Sequence, residues 1–230
     1  MVYGHQNYAE LEKTLGYTFH DKSYLDTAFT HRSFANEYHI QKVVSYERLE
    51  FLGDAILEFI SSRTLYDRYP EKTEGELTQL RASLVCEYTL SQITDAMDFG
   101  SYLYLSRGEE MTGGRKRKSI LCDLFESVLG AIYLDGGIEE AFKYVEKFLL
   151  TDIEKKTLFY DAKSILQEYA QKHGLTLSYE IVKESGPDHN KTYTVVAKLD
   201  GRVYEEGSDH KLKEAEREAA HKTIMALGLA

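Results

Sequence analysis

Tyr46-Glu47-Arg48-Leu49-Glu50-Phe51-Leu52-Gly53-Asp54-Ala55 places three acids at i, i+3 and i+7, the spacing that lines side chains along one face of an α-helix. Like charges so spaced repel, by roughly 0.2–0.5 kcal/mol per pair in an isolated helix. A chain that keeps Glu47, Glu50 and Asp54 together either leaves the stripe in water or neutralises it with a cation. Leu49, Phe51, Leu52, Ile56 and Leu57 leave little of this helix to face solvent, which favours neutralisation. Gly53, in the helix interior, costs about 1 kcal/mol relative to alanine. Its presence predicts close approach by another backbone or a ligand.

The stretch Ser119-Ile120-Leu121-Cys122-Asp123-Leu124-Phe125-Glu126-Ser127-Val128-Leu129-Gly130-Ala131 repeats the arrangement, with Asp123 and Glu126 at i and i+3 of an otherwise apolar helix. Buried charges must be paired or must hold a metal ion. If the two helices face each other, Glu50, Asp54, Asp123 and Glu126 form a nest of four carboxylates. That all-oxygen donor set suits Mg²⁺ or Mn²⁺ and suits zinc poorly. The eight histidines show no ligand spacing such as His-Glu-x-x-His, which demotes zinc further. Glu58 extends the stripe but reads as an exposed helix residue, and His31 reads as structural.

Around these segments, from Tyr8 to about Lys156, apolar residues recur three and four apart, as in Leu11, Leu15 and Phe19 or Leu77, Leu80 and Leu84. Tyr69-Pro70 predicts a helix end and Asp135-Gly136-Gly137 a C-cap. The expectation is an all-α domain over residues 1–155. Beyond a short charged seam at 151–160, read as a linker, the periodicity changes. Ala162, Ile165, Leu166, Tyr169 and Ala170 mark a helix closed by Gly174. Leu177, Tyr179 and Ile181, then Tyr193, Val195, Ala197 and Leu199, alternate as strands, and Asp200-Gly201 is a two-residue hairpin turn into a third strand near Val203. Leu212, Ala215, Ala219, Ala220, Ile224 and Leu227 line one side of a last helix. This predicts a small α+β domain, α-β-β-β-α, over residues 160–230.

The 230 residues are 43% hydrophobic and 29% charged, the balance of a globular chain and not of a disordered one. No stretch approaches the roughly 18 apolar residues a membrane span needs, and the N-terminus lacks the apolar core of a signal peptide. Cys86 and Cys122 make neither a disulfide framework nor a zinc cluster, so a reducing, cytoplasmic setting is expected, with no membrane contact. Lys+Arg 28 against Asp+Glu 38 leaves a net charge of −10. Taken alone, that argues against a partner made of phosphates.

Glu47 through Ala55 resembles the signature of ribonuclease III, the double-stranded-RNA endonuclease family. The likeness continues in Thr30-His31-Arg32-Ser33, Glu74-Gly75-Glu76-Leu77-Thr78, Leu80-Arg81-Ala82, Gly108 through Arg115 and Asp123 through Leu134. The C-terminal unit is similar to the family's double-stranded-RNA-binding domain, in Leu166-Gln167-Glu168-Tyr169, Gly186-Pro187-Asp188-His189-Asn190-Lys191 and Lys213-Glu214-Ala215-Glu216. The resemblance implies a metal-assisted phosphodiesterase that leaves 5′-phosphate and 3′-hydroxyl ends. It places Glu50, Asp54, Asp123 and Glu126 on the family's catalytic carboxylates. Glu50, Asp123 and Glu126 are the most direct metal ligands, and Asp54 and Glu126 the usual active-site designations. Glu47 and Glu74 fall on acids that orient the ligands or the substrate. Mg²⁺, with Mn²⁺ as a substitute, is the implied cofactor, and no organic cofactor is expected. A homodimer is implied because one nest cuts one strand, with Phe51 either plugging a partner's pocket or filling this chain's own core.

RNA contacts are expected from Ser164, Gln167 and Glu168 on the first helix of the second domain, from Pro187, Asp188 and His189 between strands, and from Lys211 and Lys213 at the start of the last helix. That domain carries 10 Lys+Arg against 12 Asp+Glu from Tyr160 to Ala230, so binding must be local. The run Arg115-Lys116-Arg117-Lys118 is the densest basic patch and stands ready for a phosphate strand beside the acids. Tyr46 departs from the Asn common in the family, and Lys211-Leu212-Lys213 from its Ser-Lys-Lys. A binding-only protein that shields duplex RNA is the alternative, and the four intact carboxylates weigh against it, as do those same repelling charges.

Overall fold

The computed structural model describes residues 7–40, 44–186 and 191–229. They fall into two compact units, Met1–Ile153 and Glu154–Ala230. The first is helical: α1 (Ala9–Leu15), α2 (Ser23–Ala28), α3 (Arg32–Glu37), α4 (Glu47–Arg68), α5 (Glu74–Leu84), α6 (Glu87–Ala96), α7 (Arg107–Met111), α8 (Lys118–Gly136) and α9 (Ile138–Phe148). Its centre is α8, apolar around nearly its whole circumference and therefore enclosed, by α4, α6, α9 and α2. Leu124, Phe125, Val128 and Leu129 have no exposed surface. The helix stops where the sequence predicts: Gly137 adopts φ 83°, and Asp135 fastens the N-terminal segment by accepting from the Tyr17 hydroxyl at 2.7 Å and the His20 amide at 2.8 Å.

Helix α4 also ends as predicted, at Tyr69 before Pro70. It is less enclosed than its composition suggests, since Phe51, Asp54, Ala55 and Phe59 lie on an exposed face. The crossing with α8 explains the glycine: a Cβ built on Gly53 would lie 1.8 Å from the Glu126 carbonyl oxygen, and one on Gly130 would lie 2.4 Å from that of Leu49. Two glycines thus let the backbones of the acid-bearing helices touch. Helix α5 opens on a capping box, with the Thr73 amide donating to Glu76 at 2.8 Å and the Glu76 amide to the Thr73 hydroxyl at 3.4 Å.

The second unit comprises α10 (Ile153–Lys172), an antiparallel sheet of β1 (Leu177–Ser185), β2 (Thr192–Leu199) and β3 (Arg202–Asp209), and α11 (Leu212–Ala226). The charged seam is not an irregular linker: Glu154 through Tyr160 continue helix α10, as their helix-favouring Glu, Lys and Leu allow. Ala162, Leu166 and Ala170 of α10 and Ala219, Ala220 and Ile224 of α11 pack with Ala197 and Leu199 of β2 in a common core. Asp200 and Gly201, at φ 49° and 79°, form the expected tight turn. Gly207 in β3 admits α11, because a Cβ there would come within 2.2 Å of the Ala215 carbonyl oxygen. Ile181 and Leu212, expected on inner faces, are exposed; β1 is solvated beyond Tyr179, and Leu212 begins α11 outside its packed stripe.

Candidate active site

The sequence supplies acids on two helices, and the crossing of α4 with α8 decides which of them meet. One carboxylate oxygen from each of Glu50, Asp123 and Glu126 lies within 4.8 Å of the others. All three are half-buried. Asp54, one turn beyond Glu50, is exposed and stands outside this trio, yet its charge acts on Glu126.

The electrostatics are those of crowded, partly buried acids. Burial, reinforced by Asp54, Asp123 and Glu50, pushes the Glu126 carboxyl up to about 8. Burial raises Asp123 to about 6, with Glu87 adding to the rise and a hydrogen bond from Tyr46 opposing it. Glu50 is likewise raised, by burial and then by Asp123, Glu47 and Asp54. Each would be relieved by a divalent cation, and three hard oxygen donors at this spacing fit one.

Tyr46 was legible only as a departure from the family pattern, and it is part of the site. Its hydroxyl donates to Asp123 Oδ2 at 2.9 Å. Glu87, which no motif announces, reaches the field of Asp123 from the start of α6. Glu47 lies at the edge, 3.4 Å from the Arg32 guanidinium and 3.4 Å from the Ser45 hydroxyl. Glu74 is drawn elsewhere: it accepts from the Thr78 hydroxyl at 3.0 Å and lines a groove with Ser62, Tyr66 and Arg81. Glu58 is not a free exposed acid, since it pairs with Arg81 at 2.9 Å and adds to the negative field on Glu126. His31 caps α3, its Nδ1 accepting from the Ser33 amide at 3.1 Å, and burial holds its imidazole below the ordinary range.

The basic run is largely occupied within the chain. Arg115 donates to Glu110 at 2.7 Å and to the carbonyls of Gly100 and Leu103 at 2.8 and 2.9 Å. Arg117 pairs with Glu109. Lys116 is exposed, while the Lys118 ammonium lies over the Tyr88 ring. A phosphate strand would therefore meet fewer cations here than the sequence offers.

Phe51 is 80% exposed, so filling its own core is excluded. In the second unit Ser164, Gln167 and Glu168 are exposed along α10, and Lys211 and Lys213 are exposed where α11 begins. Asp209 turns its carboxylate onto the Lys211 amide, at 3.0 Å. Pro187, Asp188 and His189 lie outside the described residues.

Comparison with known proteins agrees with this arrangement over both units. A family model described as Ribonuclease-III-like matches residues 21–153, and one described as Double-stranded RNA binding motif matches residues 162–227. The chain is 43% identical over 225 residues to a Ribonuclease 3 of Halalkalibacterium halodurans, covering 96% of this chain and 86% of the relative. It is 41% identical over 223 residues to that of Geobacillus kaustophilus, covering 96% and 91%. Among solved structures, the nuclease domain of ribonuclease III from Campylobacter jejuni, described for flexibility in a region involved in dimer formation, is similar at 38% identity and a TM-score of 0.57. That match covers 62% of this chain and 98% of the other. With a helical unit that gathers carboxylates at a glycine crossing and an α-β-β-β-α unit following it in the chain, this chain belongs to the ribonuclease III family.

Proposed function

We infer that this protein is an endoribonuclease that hydrolyses phosphodiester bonds of double-stranded RNA, leaving 5′-phosphate and 3′-hydroxyl ends. The observation that carries the reading is the convergence of Glu50, Asp123 and Glu126 in a chain that also carries a double-stranded-RNA-binding unit. Glu50, Asp54, Asp123 and Glu126 would hold Mg²⁺, with Mn²⁺ as a substitute. A divalent cation supplies activation of a water molecule and stabilisation of charge developing on the phosphoryl oxygens. The chain's own part is positional. The α4–α8 crossing brings Glu50, Asp123 and Glu126 together, and the Tyr46 hydroxyl donates to Asp123. Burial and its acidic neighbours push the Glu126 carboxyl up to about 8, and a cation held there would favour its ionised form. Glu47 orients the ligands or the substrate from the edge of the nest. Glu74, in the neighbouring groove, is assigned to the substrate side.

The second unit reads the duplex by shape, across two minor grooves and the phosphates between. Ser164, Gln167 and Glu168 are assigned to contacts with the duplex grooves, Lys211 and Lys213 to the phosphates, and His189, outside the described residues, to a further RNA contact. Two copies would each cut one strand, with Phe51 of each entering its partner. Cytoplasmic maturation of ribosomal precursors and messenger RNA is the role we assign, in keeping with two free thiols.

The test is a labelled RNA duplex incubated with the protein in Mg²⁺ and in EDTA. Cleavage in Mg²⁺ alone is expected, and Glu126→Gln should abolish cutting while duplex affinity survives. Cleavage that persists in EDTA sinks the cation mechanism, and binding without cleavage in either Mg²⁺ or Mn²⁺ establishes the binding-only alternative.

A further inference from the structure

Tyr46 stands at the junction of three elements. Its amide donates to the Thr30 carbonyl at 2.9 Å, and its own carbonyl accepts from the Glu50 amide at 2.8 Å, which begins the hydrogen-bond ladder of α4. The ring is 3% exposed and packs 5.6 Å from that of His31, which is fixed in turn by its capping bond. From this anchored position the hydroxyl crosses to the other acid helix and donates to Asp123 Oδ2 at 2.9 Å. Among the described residues it is the only hydrogen-bond donor that reaches Asp123.

A carboxylate has two oxygens and about four acceptor positions, so an isolated aspartate offers a cation many poses. A donor locked onto Oδ2 removes most of them and leaves Oδ1 directed. We propose that Tyr46 is a positioning residue for the cation site, holding Asp123 by its Oδ2 so that the other carboxylate oxygen is presented, pre-oriented, beside Glu50 and Glu126. This rests on the reading of those acids as the cation site. It also gives chemical content to the residue that interrupts the family pattern: a phenol arm, rooted at the N-cap of α4, ties the two halves of the acid cluster together. Partners of this kind change metal affinity by about 10–100-fold when removed.

Tyr46→Phe keeps the ring against His31 and deletes only the hydroxyl. The metal-free full-length variant is titrated with Mn²⁺, free ion being counted by electron paramagnetic resonance, beside the wild type, Asp123→Asn and the double variant. The expected result is a dissociation constant raised about 10–100-fold by Tyr46→Phe, with no further loss when it is added to Asp123→Asn. Unchanged Mn²⁺ affinity in Tyr46→Phe, even with a lowered melting temperature, shows a merely structural tyrosine and overturns the proposal. So does an equal loss in the Asp123→Asn background, because Tyr46 would then act elsewhere. If Asp123→Asn itself takes up Mn²⁺ as the wild type does, the cation-site reading has failed along with what rests on it.

Discussion

Replacing Gly53 with alanine tests the helix crossing on which the acid cluster depends, and two opposing effects can be weighed. Alanine in a helix interior gains about 1 kcal/mol over glycine. Against this, the new Cβ would lie 1.8 Å from the Glu126 carbonyl oxygen and 2.6 Å from its carbon, where real Cβ atoms essentially never come within 3.0 Å. Both obstacles are backbone, so no side chain can swing aside, and α4 and α8 must part by more than about 1 Å. Overpacking costs about 1–3 kcal/mol and occasionally more. A collision between two helix backbones belongs at the top of that range, so the net effect is destabilisation by about 2 kcal/mol or more. For a unit of this size about 1 kcal/mol moves Tm by ~2–4 °C, which predicts a fall of roughly 4–8 °C in the melting of the helical unit. Glu126 is itself the residue displaced, and misplacement by about 1 Å costs on the order of 10²-fold in rate. The assays are calorimetry of the metal-free full chain and duplex cleavage at saturating Mg²⁺. Gly75→Ala is the control, since its Cβ would meet nothing within 4 Å. Gly53→Ala that melts at or above the wild type and cuts at the wild-type rate would refute the reasoning.

The raised carboxyls make a pH prediction with a definite sign. Folding lifts Glu126 from 4.5 to about 8 and Asp123 from 3.8 to about 6, so the folded state binds these protons more tightly than the unfolded one. Their contribution is fully present below the unfolded values and is lost as pH rises through about 6 and then about 8, by at most about 1.4 kcal/mol per pH unit for each group. Denaturant midpoints of the metal-free protein from pH 5 to about 9 should fall more steeply for the wild type than for Glu126→Gln; parallel profiles count against it. Phe51→Ser should weaken self-association by about 10²-fold or more, because burying a phenylalanine is worth roughly 1.5–3 kcal/mol in each copy. Sedimentation over a concentration series reads this, and an unchanged dimer mass removes Phe51 from the interface. Lys213→Ala should weaken duplex binding in EDTA and reduce the slope of log affinity against log salt by about 1. An unaltered slope means that Lys213 touches no phosphate.

What could be read from the sequence was periodic or punctuated. Gly53 announced a backbone contact, and the contact is the Glu126 carbonyl. Asp200-Gly201 announced a hairpin through its dihedral requirement, and Asp135-Gly136-Gly137 a helix end. The capping box at Thr73-Glu74-Gly75-Glu76 is a spacing of the same local kind. What stayed hidden depended on tertiary partners. That Glu50 faces Asp123 and Glu126 while Asp54 stands at the exposed edge follows from the angle and depth of the α4–α8 crossing, which spacing along one helix does not contain. Phe51 and Leu52 read alike, yet one is open to solvent and the other packs against the core. Arg115 and Arg117 look like a phosphate-binding patch because their acidic partners, Glu110 and Glu109, lie in α7, on the other side of the Thr112-Gly113-Gly114 break.

The acidity of the chain, 38 acids against 28 bases, first argued against a nucleic-acid partner, and position reverses that argument. The acids that matter most are those the fold holds at a disadvantage. Glu50, Asp123 and Glu126 are crowded and partly buried, so the cation-free protein is less stable above neutral pH than it would be with neutral side chains there. The same crowding is what a divalent cation relieves, so folding stability and cation affinity draw on one arrangement. A divalent cation held there would make the local field attractive to a phosphodiester, as a bound divalent ion is often the largest charge in its site. Electropositive character would then arise at the acid cluster instead of being spread over the surface. The second unit, itself slightly acidic, must hold the duplex by groove shape and a few placed groups. A protein organised this way would discriminate against single strands and other polyanions in two places: by A-form geometry at the sheet-and-helix unit, and by the need to bring a phosphate to carboxylates that hold a cation.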